Sequence, residues 1–514
     1  MATRTLERPL SGGTTDGRPA IERAARVVVV VASVLPIVTY LWVALQQLGY
    51  PYELEWMEGG SVEIVNRVVH GQAIYVAPSL HYVPYAYPPL YFWVSAAVAH
   101  VTGVGFLPLR LVSFTASLGC LALLYSMVRR ETADPVAGLL AAGLFAATYE
   151  VGGAWLDIGR VDSLYLLFLL AAVAVARRAT GVRGGLLVGG LVAAAFLTKQ
   201  SALLAAAPLL GLLVVTRRRV GLAAVATVAA LVVGTTLVLD ATSHGWYGYY
   251  VLSELVHQGV DRTAAVRFPV KDLGPAVWAL ALGVVGAAVG WHRRSATNWP
   301  FWLAVVAGFV ASSWVARAHS GGGRDVLIPA YAAVALLAGL GYDALRRSPG
   351  RARAVVGAAL ALVVVVQVGH LADHPSHLVP TAASAATGRH FVAELRATPG
   401  EVIVIDHPWY ATLAGKGSWA QGEALHDVLR AGDGPARRDL LRSIDAALAS
   451  PRVTTVYVDT PVDTGPFATA LRRYFVPAAG RRVFPCYRCF FPVTDVATRP
   501  YLRYVRRSSH GAAS

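Results

Sequence analysis

The chain has 514 residues, 55% of them hydrophobic and only 15% charged, with a formal net charge of +15 and a mean hydropathy of +0.52. A soluble domain carries roughly 25% charged residues, so this composition excludes an ordinary globular enzyme and indicates a multi-span membrane protein. The positive charge does not gather on one soluble face, as nucleic-acid binding would need. It falls in short clusters between apolar runs, the pattern of cytoplasmic loops under the positive-inside rule.

Residues 1–25 are polar and mixed in charge, and no small-residue cleavage site closes the first apolar run, so no cleavable signal peptide is expected. A spanning helix takes roughly 20 mostly apolar residues. The first such stretch is 26–46, preceded by Arg4, Arg8, Arg18, Arg23 and Arg26, which keep the N-terminus inside. The segment 47–88 is long, polar and aromatic and lies outside. Residues 89–102 are apolar but short, a length suited to an interfacial or re-entrant helix. The next span is 107–128, and others follow near 135–151, 163–176, 184–198, 201–215, 220–239, 273–290, 299–316, 326–344 and 353–371.

Parity tests this threading. If 89–102 does not cross, Arg129-Arg130, Arg177-Arg178, Arg217-Arg218-Arg219, Arg293-Arg294 and Arg346-Arg347 all fall in the cytoplasm. If it crosses, every cluster falls outside. The charges therefore select about eleven spans. The tail beyond 371 lies outside; its strand-like runs at 402–405 and 453–458, separated by helix-like sequence, predict a small α/β domain. The expected organisation is a cytoplasmic tail 1–25, a helical membrane module 26–371 and an extracytoplasmic domain 372–514. Cys120 sits in an apolar run and reads as packing. Cys486 and Cys489 form a C-x-x-C that no second metal-ligand pair follows, which favours a structural disulfide over a redox pair or half a zinc site.

The outward loops hold the chemistry-bearing residues. The first begins Tyr52-Glu53-Leu54-Glu55-Trp56-Met57-Glu58-Gly59-Gly60. Glu55 and Glu58, three apart, share one face of a helical turn. Crowded carboxylates beside lipid raise one another's pKa, which suits a general base, although a solvated acidic loop has the same composition. Tyr75, Tyr85 and Tyr87, with Pro88-Pro89-Leu90-Tyr91, read either as an interfacial aromatic belt or as platforms for a sugar or prenyl chain. The second loop carries Asp157, Arg160 and Asp162 at the mouth of a span, where an ionisable group defaults to a functional hypothesis; the competing reading is a capping Asp162 paired to Arg160. Lys199 at a tight turn, and Arg324 after Ser320-Gly321-Gly322-Gly323, can clamp a phosphate or simply snorkel. His257 in the 240–272 loop is an acceptor-side candidate. There is no Walker loop, dinucleotide fingerprint or H-E-x-x-H.

The order of these features resembles the GT-C membrane glycosyltransferases, in the protein O-mannosyltransferase and aminoarabinose transferase branch (glycosyltransferase family 39-like). The matching elements are Glu55 to Glu58, the Gly71 to Tyr75 turn, Pro88 to Tyr91, Arg160-Val161-Asp162-Ser163, Leu197-Thr198-Lys199-Gln200 and Arg324 to Pro329. The resemblance covers roughly residues 26–345. It departs where the family has adjacent Asp-Glu in the first loop, since here only spaced glutamates stand. The resemblance implies inverting transfer from a polyprenyl-phosphate sugar to an outer-face acceptor, which is a glycan, lipid or protein. Glu58 or Glu55 would be the base and Asp162 would orient acceptor or base. Lys199, Arg324 and Arg160 would hold the departing phosphate, and Tyr75, Tyr85, Tyr87, Asp157 and His257 would lie along the substrates. No cofactor is implied, and no metal-ligand cluster demands an ion. Two other classes compete: a lipid or sugar transporter, which would need polar residues at broken helices near mid-membrane, and a non-catalytic cell-envelope assembly subunit. Convergence of the loop residues on one cavity open to lipid distinguishes the enzyme from both.

Overall fold

The computed structural model describes residues 18–257, 259–347, 352–372, 374–461, 465–478, 483–484, 489–494 and 496–507, with only the backbone of 18, 19, 255 and 257. Helix α1 (Arg18–Leu48) is followed by two short helices, α2 (Glu58–Val69) and α3 (Leu90–Thr102). Then come α4 (Phe106–Thr132), α5 (Pro135–Ala147), α6 (Asp162–Arg178), α7 (Gly181–Thr198), α8 (Ala202–Thr216) and α9 (Arg218–Thr242). After a loop of short helical turns the bundle is completed by α10 (Val277–His292), α11 (Trp299–Ala318), α12 (Ile328–Arg346) and α13 (Ala352–Leu371).

Among the described residues eight stretches are long and apolar enough to cross a membrane: α1, α4, α7, α9, α11, α12, α13, and α10 taken with the helical turns before it from Arg262. The shorter α5, α6 and α8 pack inside the same bundle, against α1, α4 and α11 respectively. Helix α12 is its axis, with its whole apolar stretch buried. Outer helices turn Val31, Leu35, Val38 and Leu45 of α1 and Leu231, Val233, Leu237 and Val238 of α9 outward, the apolar surface that lipid requires.

The arginine clusters gather at one end of the bundle, where two carboxylates tie them together. Asp134 caps α5 through Val136 N–H and takes Arg26 at 3.0 Å and Arg346 at 2.9 Å. Glu131 takes Arg177 at 2.9 Å, and Arg347 donates to Thr132 O at 2.6 Å.

At the other end sits a mixed sheet in the order β1-β2-β4-β3, formed by β1 (Glu401–Val404), β2 (Val453–Val458), β3 (Phe475–Pro477) and β4 (Leu502–Arg506). β1 and β2 are parallel, and β4 runs antiparallel to both β2 and β3. The two expected strands are the parallel pair; β3 and β4 are additional, β3 because it has only three residues and β4 because Arg503 and Arg506 break its apolar pattern. Helices α14 (Ala382–Ala397), α15 (Gly422–Arg430), α16 (Pro435–Ala449) and α17 (Gly465–Tyr474) flank the sheet. Cys489 is disulfide-bonded; Cys486 lies outside the described residues.

This sheet region does not pack as a separate body. Val62, Ile64, Tyr82 and Tyr85 of the first loop share one hydrophobic core with Val402, Val456, Trp409 and Phe490. Tyr52 meets Tyr410 and Phe490 edge-on at 6.0 and 5.4 Å.

Candidate active site

The first-loop turn lies where bundle and sheet domain meet, and its three carboxylates leave in three directions. Glu58, the first residue of α2, is wholly buried. It accepts Arg110 Nε at 3.0 Å and Nη2 at 2.7 Å, Leu54 N–H at 2.8 Å and Gly159 N–H at 2.6 Å. Arg110 of α4 donates as well to the carbonyls of Gln47 at 3.3 Å, Tyr50 at 2.5 Å and Tyr52 at 2.6 Å, so the pair fixes how the chain leaves α1. Glu53 turns toward the sheet domain and meets His407. Burial pushes its carboxyl up to about 7, against the pull of the His407 charge. Glu55 points toward Arg160, with Oε2 3.8 Å from Nη1. The turn needs Gly59 and Gly60, because a Cβ on either would overlap the Glu53 carboxylate or the Tyr85 hydroxyl.

The second group stands at the ends of α6, α7 and α12. Asp162 opens α6, and Lys199 follows α7 in extended conformation. Lys199 Nζ lies 2.6 Å from Asp162 Oδ1 and 3.0 Å from Asp325 Oδ2, so one ammonium is shared by two buried carboxylates. Gln200 ties the same turn to Ala86 O at 2.7 Å and Val251 O at 3.2 Å.

Between these groups opens a cavity of about 660 Å³. Its wall includes Trp56, Tyr85, Tyr87, Trp155, Arg160, Lys199, Arg324 and Asp325, with Glu423 and Asp427 contributed by α15 of the sheet domain. The Arg160 guanidinium lies 4.6 Å from the Trp155 ring, 5.4 Å from Tyr85 and 5.7 Å from Tyr87. Leu204 of α8 and Val315 of α11, exposed residues of apolar helices, line its apolar flank. Arg324 is exposed, and its side chain makes no ion pair or hydrogen bond with the described residues.

Of the residues expected from the sequence, Tyr85, Tyr87, Arg160, Lys199 and Arg324 face this one cavity. Asp162 stands directly behind Lys199, and Glu55 directly behind Arg160. Glu58 is held away from it by Arg110. Tyr75 is a core residue whose hydroxyl donates to Tyr87 O at 2.8 Å. Asp157 is buried, accepts the Tyr149 hydroxyl at 2.7 Å and is pushed up to about 7 by desolvation. The His257 side chain lies outside the described residues. The competing reading, in which Asp162 pairs with Arg160, gives way to pairing with Lys199. Among the described residues no group of three or more His, Cys, Asp or Glu is placed to hold a metal ion. Sequence reading passed over Arg110, although a lone arginine in an apolar run is a costly placement that signals a partner. Asp325, inside the Arg324 to Pro329 element, carries no separate signal in the sequence. His407, in an ordinary soluble stretch, carried no signal.

Comparison with known proteins follows the same lines. No curated protein sequence matches the chain. Residues 86–244 match the family model described as dolichyl-phosphate-mannose-protein mannosyltransferase. The fold is similar to the crystal structure of ArnT from Cupriavidus metallidurans bound to undecaprenyl phosphate. The TM-score is 0.56 at 14% identity, over 94% of this chain and 99% of that one. It is also similar to the oligosaccharyltransferase AglB from Archaeoglobus fulgidus in complex with an inhibitory peptide and a dolichol-phosphate. There the TM-score is 0.50 at 12% identity, over 83% and 69% of the two chains. The architecture is thus that of the GT-C membrane glycosyltransferases. Residues 86–244, which hold Tyr87, Arg160, Asp162 and Lys199, match that mannosyltransferase family model, and the membrane-spanning fold is GT-C-like.

Proposed function

We propose that the chain transfers a hexose or pentose from a polyprenyl-phosphate donor to an acceptor hydroxyl at the extracytoplasmic face, with inversion. The observation that carries this reading is the cavity in which Arg160, Lys199 and Arg324 face one space beside aromatic rings and an apolar flank. Such a space suits a lipid-linked anionic donor: cations for the phosphate, rings for the sugar and an apolar flank for the prenyl chain. ArnT, with undecaprenyl phosphate, and AglB, with dolichol-phosphate, support that donor class. Clustering of the arginine-rich helix ends opposite the cavity supports a cytoplasmic N-terminus and an extracytoplasmic sheet domain.

In this reading Glu55 is the base. Glu58 has each carboxylate oxygen engaged by Arg110 and a backbone N–H, leaving little capacity to accept a proton from substrate. Glu55 stands behind Arg160, which lines the cavity, so movement of Arg160 toward an incoming phosphate would open its path to substrate, and catalytic contacts commonly tighten once substrate is bound. Asp162 and Asp325 hold Lys199 extended, and Lys199, Arg324 and Arg160 stabilise charge developing on the leaving phosphate. The test is sugar release from radiolabelled polyprenyl-phosphate hexoses and pentoses by the purified chain in membranes, comparing wild type with Glu55→Gln, Glu58→Gln and Asp162→Asn. Turnover abolished in Glu55→Gln, with undecaprenyl-phosphate binding retained, supports the assignment. No release from any donor overturns the reaction.

A further inference from the structure

The Glu53–His407 contact joins the first loop to the sheet domain, and no step of the proposed transfer uses it. Nδ1 of His407 meets the Glu53 carboxylate, and Nε2 lies 2.9 Å from Asp459 Oδ2. Thr498 donates its hydroxyl to the same Asp459 oxygen. The imidazole stacks on Tyr410 at 5.7 Å and 14°, and the Tyr410 hydroxyl accepts the Glu53 backbone N–H at 3.3 Å. The segment 407–410 thus grips Glu53 by both side chain and backbone. The side chains of His407, Glu53 and Asp459 are at most 5% exposed. With a carboxylate on each ring nitrogen, both nitrogens serve as donors.

Glu53 is two residues before Glu55. Because Glu53, Glu55 and Glu58 leave one turn toward His407, Arg160 and Arg110, the turn is pinned from three elements. Releasing the His407 pin frees the end of the turn nearest α1 and lets Glu55 drift. We propose that His407, clamped between Glu53 and Asp459, is a positioning residue for the reaction: it fixes the first-loop turn so that Glu55 stands beside Arg160 at the cavity wall. This rests on the transfer reaction proposed above.

The groups facing the ring are Glu53 from the first loop, Asp459 after β2, and Asp406 and Tyr410 from its own segment. Glu58 lies behind Glu53, and His426 behind Asp406. Asp459 and Glu53 together hold the imidazole well above its ordinary value.

The experiment uses the full chain in membranes and the donor that wild type turns over. It compares wild type, His407→Gln and Asp459→Asn for kcat, donor KM, undecaprenyl-phosphate Kd and the pH dependence of kcat. His407→Gln is expected to lower kcat about tenfold or more, the scale of a small misplacement of a reacting group. KM and Kd should stay within about twofold, because the phosphate-facing cations lie on other elements. Wild-type kcat should fall on the alkaline side as the imidazolium is lost, and the His407→Gln profile should lack that limb. Asp459→Asn, which leaves the Glu53 contact in place, should shift the limb to lower pH, so the test stands even if His407→Gln does not fold. Wild-type kcat and pH profile in the variants overturn the His407 role and leave the transfer reading intact. An equal loss in kcat, KM and Kd marks a purely structural role and overturns it too. A wild type inactive on every donor overturns the transfer reading first.

Discussion

Glu55 and Glu58 sit three residues apart on one turn, yet Glu58 is locked to Arg110 at 2.7 Å while Glu55 stands 3.8 Å from Arg160, behind the cavity wall. The same substitution should therefore read out differently at the two sites. Glu55→Gln should lower kcat about 10²–10⁴-fold, the range of a general base, with a thermal midpoint close to wild type. Glu58→Gln removes one partner of a fully buried ion pair and should cost on the order of 3 kcal/mol or more in stability. Thermal unfolding in detergent, run beside the activity assay, separates the two. Comparable melting losses in both variants would remove the distinction drawn between them.

Arg324 and Lys199 differ in the same spirit. Arg324 is exposed and unpaired among the described residues, whereas Lys199 is held by Asp162 and Asp325. Arg324→Ala should leave the fold untouched and weaken undecaprenyl-phosphate binding roughly 10- to 100-fold, the worth of a charge-assisted hydrogen bond. Lys199→Met leaves two buried carboxylates facing each other and should lower both the melting midpoint and the affinity. Titration by tryptophan quenching and a melt of each variant check both statements. An Arg324→Ala variant that binds like wild type would take the phosphate role away from that residue.

How much of this was legible in the sequence depended on whether the signal was local. The bundle was readable because lipid forces each span to announce itself as an apolar run, and the arginine clusters at 129–130, 177–178, 217–219, 293–294 and 346–347 marked alternate loops as one set. The members of the cavity were readable as well: Arg160, Lys199 and Arg324 are costly residues at the edges of apolar helices. Partners were not. Nothing near Glu58 in sequence points to Arg110, so nothing local separates Glu58 from Glu55 as the carboxylate that the fold has already engaged. Asp162 has only Arg160 as a nearby cation in sequence, whereas the partner that reaches it is Lys199, across the α6–α7 contact. The link from Glu53 to His407 spans 354 positions and lies between two segments that each look ordinary alone.

Asp325 lines the cavity beside Lys199 and contributes negative charge where a phosphate would bind. Asp325→Asn should thus raise the affinity for undecaprenyl phosphate several-fold, since Lys199 keeps Asp162 as partner while the local field becomes less negative. Turnover should not rise in step, because a lipid phosphate held more tightly also leaves more slowly. Binding titrations and single-turnover release, performed at one ionic strength, provide the comparison. Unchanged or weaker binding in Asp325→Asn would mean that the phosphate lies away from Lys199.

The Glu53–His407–Asp459 contact predicts how stability depends on pH. Two carboxylates raise His407 well above its ordinary value, and burial raises Glu53 to about 7. Across the interval between unfolded and folded pKa, a raised value means that the native state binds more protons than the unfolded chain, so stability falls as pH rises. For Glu53 that interval runs from the ordinary glutamate range to about 7. For His407 the contribution is fully present below about 6.5 and is lost as pH climbs through its raised value. Both groups act with one sign, so the thermal midpoint of wild type should decline from mildly acidic toward alkaline pH. In His407→Gln the alkaline part of that decline should be absent, while a lower midpoint at acidic pH reports the lost imidazolium. Melting curves of both proteins from pH 5 to 9, with the detergent and salt held constant, decide the matter. Parallel curves would show that the imidazole does not change charge on unfolding, and the three-way pinning of the first-loop turn would then depend on shape and not on charge.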